Sequence, residues 1–467
     1  MDKRGIGILI LLMLFIGACA PGPSLHLSVE FVSEPPVEIF YRYITEGMPG
    51  IAVGDLTGDQ YPEISVAAGA WVPGEEGRSG KPEDYFYSHP IVFSWNGETF
   101  EPLEAAWTGI SSYVPQVPIH DAQNIPIALL VADVDRDHMN ELLVGTGGHP
   151  ASPNKGALYI FQWDGTGFIA EYSYYCMGIV HRLDLIGDAD SVAISTWGRP
   201  TGAGFYDHDM CPDVLKDPNE PREGLYVLRA TEENHYETHS LAVDDSSTVL
   251  VANSDHFSDT QFVRGQFFGS SDVVDWETTR VLNHEGEITT DTLLLEIENL
   301  IGKMATADLE GDATPEIIVL AAKEWREDIR LSAEDKAVWL VFQQSSQGYQ
   351  LIYEGEGDFS PDPSQGSLRK RFVAGDVDDD GADEILAGNG VLYKWVDGRL
   401  VPQMDLMEAM GIEFCHGLES MYVGDVHNDG KNRIVFVARD PKDTKYCSND
   451  SPFRVYVVSV SSAPQAE

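Results

Sequence analysis

One arrangement of apolar and polar positions recurs along the chain. A short apolar stretch runs into an acidic turn, and a second apolar stretch follows that opens on an acid. It reads IAVGDLTGDQYPEISVAAG around Asp55, LLVADVDRDHMNELLVGTG around Asp133 and MATADLEGDATPEIIVLAA around Asp308. It returns as FVAGDVDDDGADEILAGNG around Asp376 and MYVGDVHNDGKNRIVFVAR around Asp425. Two weaker copies, HRLDLIGDADSVAIST at Asp184 and LAVDDSSTVLVAN at Asp244, fill the long gap between Asp133 and Asp308. The first acids then stand at 55, 133, 184, 244, 308, 376 and 425. That is a tandem array with a repeat of roughly 60 residues, long enough for four strands and their loops.

A second pattern follows most turns. IVFSWNGETFEPL at Ile91, LYIFQWDGTGFIAEY at Leu158, LYVLRATEENHYE at Leu225, VWLVFQQSSQGYQLIYE at Val338 and LYKWVDGRLVPQM at Leu392 each alternate apolar and polar residues about a tight polar turn. Asn-Gly and Asp-Gly in such a setting signal a β-hairpin. The unit is therefore strand, acidic turn, strand, long loop, strand, tight turn, strand. Such a unit cannot bury both of its faces alone, and stacking copies radially does so. The expected fold is all-β, a seven-bladed β-propeller of four-stranded antiparallel blades, with six or eight blades as alternatives and an open solenoid or two smaller propellers further off. The last unit, ending in FRVYVVSVSS, lacks its final arm, while LHLSVEFVS at Leu25 is a strand without a unit. The N-terminal strand is expected to complete the last blade and close the ring. The expected organisation is residues 1–18 as a signal segment, 19–24 as a tether, 25–461 as the propeller and 462–467 as a polar tail.

The acidic turns carry the candidate chemistry. A calcium ion takes six to eight oxygens at about 2.3–2.6 Å, and a tight loop supplies them from alternate residues plus a later acid. Asp376, Asp378 and Asp380 alternate, Gly381 permits the bend and Glu384 closes the set. Asp133, Asp135, Asp137 and Glu141 repeat the spacing, as do Asp308, Glu310, Asp312 and Glu316; Asp55, Thr57, Asp59 and Glu63 put a hydroxyl in place of one carboxylate. An EF-hand would need its last acid at the twelfth position between helices; here it is the ninth, between strands. These turns resemble the FG-GAP, or VCBS-type, repeats of integrin α-subunit propellers, whose turn is roughly D-x-[DN]-x-D-G-x-x-[DE] before an apolar strand. The resemblance implies a structural calcium ion in each intact turn, about four in all, and a role in adhesion or protein recognition. The chain departs from the pattern at Gln60, His138 and Ala313, where the family has glycine, and at His427 and Arg433 in the Asp425 turn. An arginine cannot ligate calcium and can take over its charge.

Composition adds the setting. A net charge of −46 excludes a basic nucleic-acid footprint. Gly5 to Ile16 is apolar, too short to span a bilayer, and ends in Ile16-Gly17-Ala18-Cys19. This resembles a bacterial lipobox, which implies a lipid on Cys19 and an extracytoplasmic, membrane-anchored lipoprotein of the outer membrane or cell surface, otherwise water-soluble and monomeric. The remaining cysteines suit an oxidising compartment. By strand parity Cys176 and Cys211, and Cys415 and Cys447, stand in the same relation in two units, so each pair is expected to form a disulfide, worth roughly 3 kcal/mol.

Strand parity also puts the long loops on the face opposite the acidic turns, and function concentrates in such loops. A recurrent position after the second strand, Trp71, His149, Trp197, His256, Trp325 and Asn389, is the candidate ligand face for a sugar or peptide, or else a cap on the channel. No nucleophile elbow, zincin motif or phosphate-binding glycine loop occurs. The reading is a binding, adhesion or scaffold module for a protein or glycan ligand; the alternative is a calcium-dependent carbohydrate-active enzyme, a polysaccharide lyase or hydrolase. The single basic cluster, Arg369-Lys370-Arg371, argues weakly against an anionic polysaccharide substrate.

Overall fold

The computed structural model describes residues 25–33, 50–67, 70–72, 85–87, 90–108, 117–118, 125–147, 157–175, 179–186, 191–197, 224–232, 235–241, 247–252, 261–268, 275–284, 291–298, 301–322, 337–345, 348–357, 372–412, 415–439 and 453–462. They form antiparallel four-stranded sheets that follow one another along the chain. The first is built from Ile51–Gly54, Glu63–Val66, Ile91–Trp95 and Phe100–Pro102. The second takes Ile125–Ala132, Glu141–Gly147, Ala157–Trp163 and Gly167–Tyr175, and gains a parallel fifth strand, Ala106–Thr108, on its outer edge. The third and fourth span Ile179–Ile186 to His235–Leu241 and Ser247–Ala252 to Asp291–Glu298. The fifth and sixth run from Ile301–Ala307 to Gly348–Gly357 and from Phe372–Gly375 to Arg399–Asp405.

The seventh sheet contains Cys415–Gly424, Arg433–Arg439 and Phe453–Ser462, and its fourth strand is Leu25–Val32 from the other end of the chain. Leu25 pairs with Ser462 and Val32 with Tyr456. The expected pairing of the N-terminal strand with the last unit is thus present.

Inner strands are apolar on both faces where a sheet packs against a neighbour on either side. In Glu141–Gly147, Leu142 and Val144 pack with Ala52, Leu56 and Val92 of the first sheet. The alternate residue Leu143 joins Val180, Val192 and Ile194 of the third. In Arg433–Arg439, Ile434 and Phe436 face Leu386 and Leu392 of the sixth sheet, while Val435 and Val437 face Ile64 and Phe93 of the first. Period-two alternation therefore sorts apolar residues between two cores rather than between core and water. The first strand of each sheet touches the first strand of the next, and that of the seventh touches that of the first. Close approach there demands a small residue before the leading acid. A Cβ on Gly54 would sit 2.4 Å from Val131, and one on Gly375 2.5 Å from Val423.

Two repeat boundaries differ from expectation. Asp184 lies inside Ile179–Ile186, paired with Ala193, and so does not open a turn; residues 187–190 lie outside the described residues. In the fourth, Ser247–Ala252 is the first strand rather than the second, and Asp244 lies outside the described residues. Neither copy has a terminal acid to fix its register, so periodicity alone slipped by a few residues in the third unit and by a strand in the fourth.

Candidate metal centre

Among the described residues, five turns join first to second strands with one backbone design. The first acid accepts the amides that close the turn: Asp55 from Gly58 and Gln60, Asp308 from Asp312 and Ala313, Asp376 from Asp380 and Gly381, Asp425 from Asp429 and Gly430. The second residue, Leu56, Val134, Leu309, Val377 or Val426, is buried. The fourth and sixth are left-handed, so Gln60, His138 and Ala313 hold φ of 77°, 73° and 63° where Gly381 holds 90°. The terminal acids Glu63, Glu141, Glu316 and Glu384 are at most 1% exposed, and each accepts the amide of the second residue at 2.7–3.1 Å. That acid thus ties the end of the turn to its start.

The turns differ in what surrounds this frame. In the Asp55 turn, Glu63 also accepts from Thr57 and Ser94 hydroxyls at 3.1 and 3.2 Å, so protein donors serve both of its oxygens. In the Asp308 turn, Gln343 donates to Glu316 at 3.3 Å, while Glu310 accepts from Trp395 of the next sheet at 3.2 Å. Glu310 is exposed, and the Asp308 acids are not among the described sets whose oxygens converge.

The Asp133 turn is different. Asp133, Asp135, Asp137 and Glu141 bring one oxygen each to within 4.8 Å of one another. Glu141 Oε1 and Asp133 Oδ1 are buried and accept no hydrogen bond. Gln162 reaches Asp137 at 2.7 Å but brings no charge. Burial, and then the charges of Asp135, Asp137 and Asp133, push the Glu141 carboxyl up to about 8. A second set, Asp376, Asp378 and Glu384, also lies within 4.8 Å, with Asp380 outside it. There the Lys394 ammonium contacts Asp378, Asp380 and Glu384. In the Asp425 turn Arg433 forms a two-pronged pair with Asp429, whose carboxyl this pairing holds down at about 2, and meets Glu30 of the N-terminal strand at 3.4 Å.

Unpaired buried carboxylate oxygens are costly and are relieved by a cation or a proton. Sequence spacing treats four turns as equivalent; among the described residues the structure gathers acids in two, and in the Asp133 turn two of the buried carboxylate oxygens accept no hydrogen bond. The distinguishing residues are on the third strand, one past the partner of the residue after the terminal acid: Ser94, Gln162, Gln343 and Lys394. Counting along paired strands would have found them. The eighth turn position was also overlooked. Asn140 donates to the Asp55 carbonyl and Asn432 to the Asp376 carbonyl, both at 2.8 Å, while Asp383 accepts the Asp308 amide at 2.8 Å.

The candidate ligand-face residues do not gather into one described site. Trp71 lies in Ala70–Val72 of a small three-stranded sheet with Tyr85–Tyr87 and Val117–Pro118. Trp197 ends the second strand of the third sheet, paired with Ile179. Asn389 serves a tight turn, its Oδ1 accepting the Val391 amide at 3.1 Å. His149, His256 and Trp325 lie outside the described residues. Cys19, Cys176, Cys211 and Cys447 are also outside them; Cys415 is placed by its backbone alone, opposite Arg439.

No family model matches this chain, and no curated protein matches it. Among solved structures, one described as "Structure of Dos1 propeller" aligns over 94% of this chain and 95% of its own at 9% identity, with a TM-score of 0.44.

Proposed function

We propose that the chain is a closed seven-bladed β-propeller of FG-GAP/VCBS type, held outside the cytoplasm by a lipid on Cys19. It takes a structural calcium ion at the Asp133 turn and presents its opposite, long-looped face to a protein or glycan ligand. Support for the ring comes from the unbroken succession of first-strand contacts, the seventh to the first included, and from the shared core between those two sheets. His427 of the seventh also stacks on Trp95 of the first, with ring centroids 4.1 Å apart.

The observation that carries the metal reading is the pair of buried, partnerless oxygens on Glu141 and Asp133 within a four-acid set. Oxygen-only donors with several carboxylates suit a hard cation such as calcium. The ion would draw the ends of the turn together and relieve the repulsion among the acids. The test is calcium titration of the unlipidated chain, Cys19→Ser, followed by calorimetry and melting. One ion that Glu141→Gln removes supports the reading; identical melting in calcium and in chelator refutes it. The binding role is tested by screening the same chain on glycan and protein arrays with and without calcium.

A further inference from the structure

The Asp376 turn matches the metal pattern best in sequence, yet a cation already stands in it. Lys394 Nζ lies 2.8 Å from Asp378 Oδ2, 2.6 Å from Asp380 Oδ2 and 3.0 Å from Glu384 Oε1. Its side chain is only 16% exposed. The ladder puts it there: Ile385 pairs with Tyr393, so Lys394 follows on the third strand beside Glu384. The same rung carries Ser94, Gln162 and Gln343 in the first, second and fifth sheets. Where the rung is Ser94 or Gln343, a neutral donor reaches the terminal acid. Where it is Gln162, the donor goes to Asp137 and leaves Glu141 Oε1 alone.

We infer that this third-strand residue decides how each acidic turn is neutralised, and that Lys394 is a tethered ammonium that keeps divalent cations out of the Asp376 turn. An ammonium carries three donors, and here each meets a different carboxylate in a largely buried setting, where such charge-assisted bonds are strong. A divalent ion would have to evict it, leaving a lysine to find water from a half-buried stem. The seventh sheet solves the same problem differently. Arg433 replaces the terminal acid itself and pairs with Asp429, and Glu30 of the N-terminal strand lies on its other side. The turns thus divide into one open to a divalent ion, two holding a built-in cation and two satisfied by neutral donors. The inference rests on the calcium reading only for the Asp133 turn; the contacts of Lys394 stand without it.

The test is calorimetric calcium titration of the unlipidated full chain carrying Glu141→Gln, alone and combined with Lys394→Gln or Lys394→Arg. Expected uptake is no ion for Glu141→Gln, one for the Lys394→Gln combination and none for the Lys394→Arg combination. Melting of the Lys394→Gln combination is expected to fall in chelator and recover in calcium. Calcium bound by Glu141→Gln and lost on adding Asp378→Asn would overturn the inference. So would a folded Lys394→Gln combination that takes no calcium. Should that combination not fold, Asp378→Asn in the Glu141→Gln chain decides: unchanged zero uptake supports exclusion, and a lost ion refutes it. Uptake by the parent chain judges the Asp133 reading separately, since a parent that binds nothing sinks that reading and leaves the Lys394→Gln result intact.

Discussion

Ala313 shows how much of a turn resides in single residues. Its φ of 63° is the left-handed conformation that costs a residue with a Cβ about 1–2 kcal/mol. Glycine avoids that cost and loses roughly 0.5–1 kcal/mol to its freer unfolded chain. Ala313→Gly should therefore stabilise the protein by up to about 1 kcal/mol, read from urea unfolding midpoints. Glu141 works in the opposite sense. Its carboxyl is raised from an ordinary 4.5 to about 8, first by burial. A raised acid contributes stability that is present below its unfolded pKa and lost as pH rises through its folded one. In chelator, stability should fall between about pH 4.5 and 8, by an amount on the order of a few kcal/mol, and Glu141→Gln should flatten that slope. The acids themselves were legible in the sequence, because their spacing is a local property. Lys394 was not, because it is ten residues from Glu384 in sequence and adjacent only through strand pairing.

Strands and turns were legible to different degrees. A terminal acid fixed register wherever one existed, since Glu63, Glu141, Glu316 and Glu384 each open their second strand. The units at Asp184 and Asp244 lack it, and there the assignment slid. Contacts between neighbouring units left only a faint trace, an Asn or Asp at the eighth turn position. Asn140 and Asn432 each donate to a carbonyl of the preceding sheet's turn. Asn140→Ala and Asn432→Ala should each cost about 1 kcal/mol, the net worth of a partly buried hydrogen bond, measured by denaturant unfolding. A larger change is expected at Gly54, where any side chain meets Val131. Gly54→Val should cost more than about 2 kcal/mol through overpacking between the first strands of two sheets.

At the scale of the whole molecule, the two chain ends are joined by the pairing of Leu25–Val32 with Phe453–Ser462. Deleting residues 25–32 would strip an edge, remove Leu25, Leu27 and Val32 from a core and take Glu30 from Arg433. Such a chain should unfold at markedly lower denaturant and expose an apolar strand edge prone to association. The net charge of −46 also acts globally, so added salt should stabilise the fold by screening. A specific ion must be separated from that background. The direct measurement is melting of the unlipidated chain at fixed ionic strength, in calcium at a hundredfold excess over its dissociation constant and in chelator. The expected result is a gain of about 3 kcal/mol with calcium, absent in Glu141→Gln. Superimposable melting curves for the parent chain in the two conditions would contradict the account.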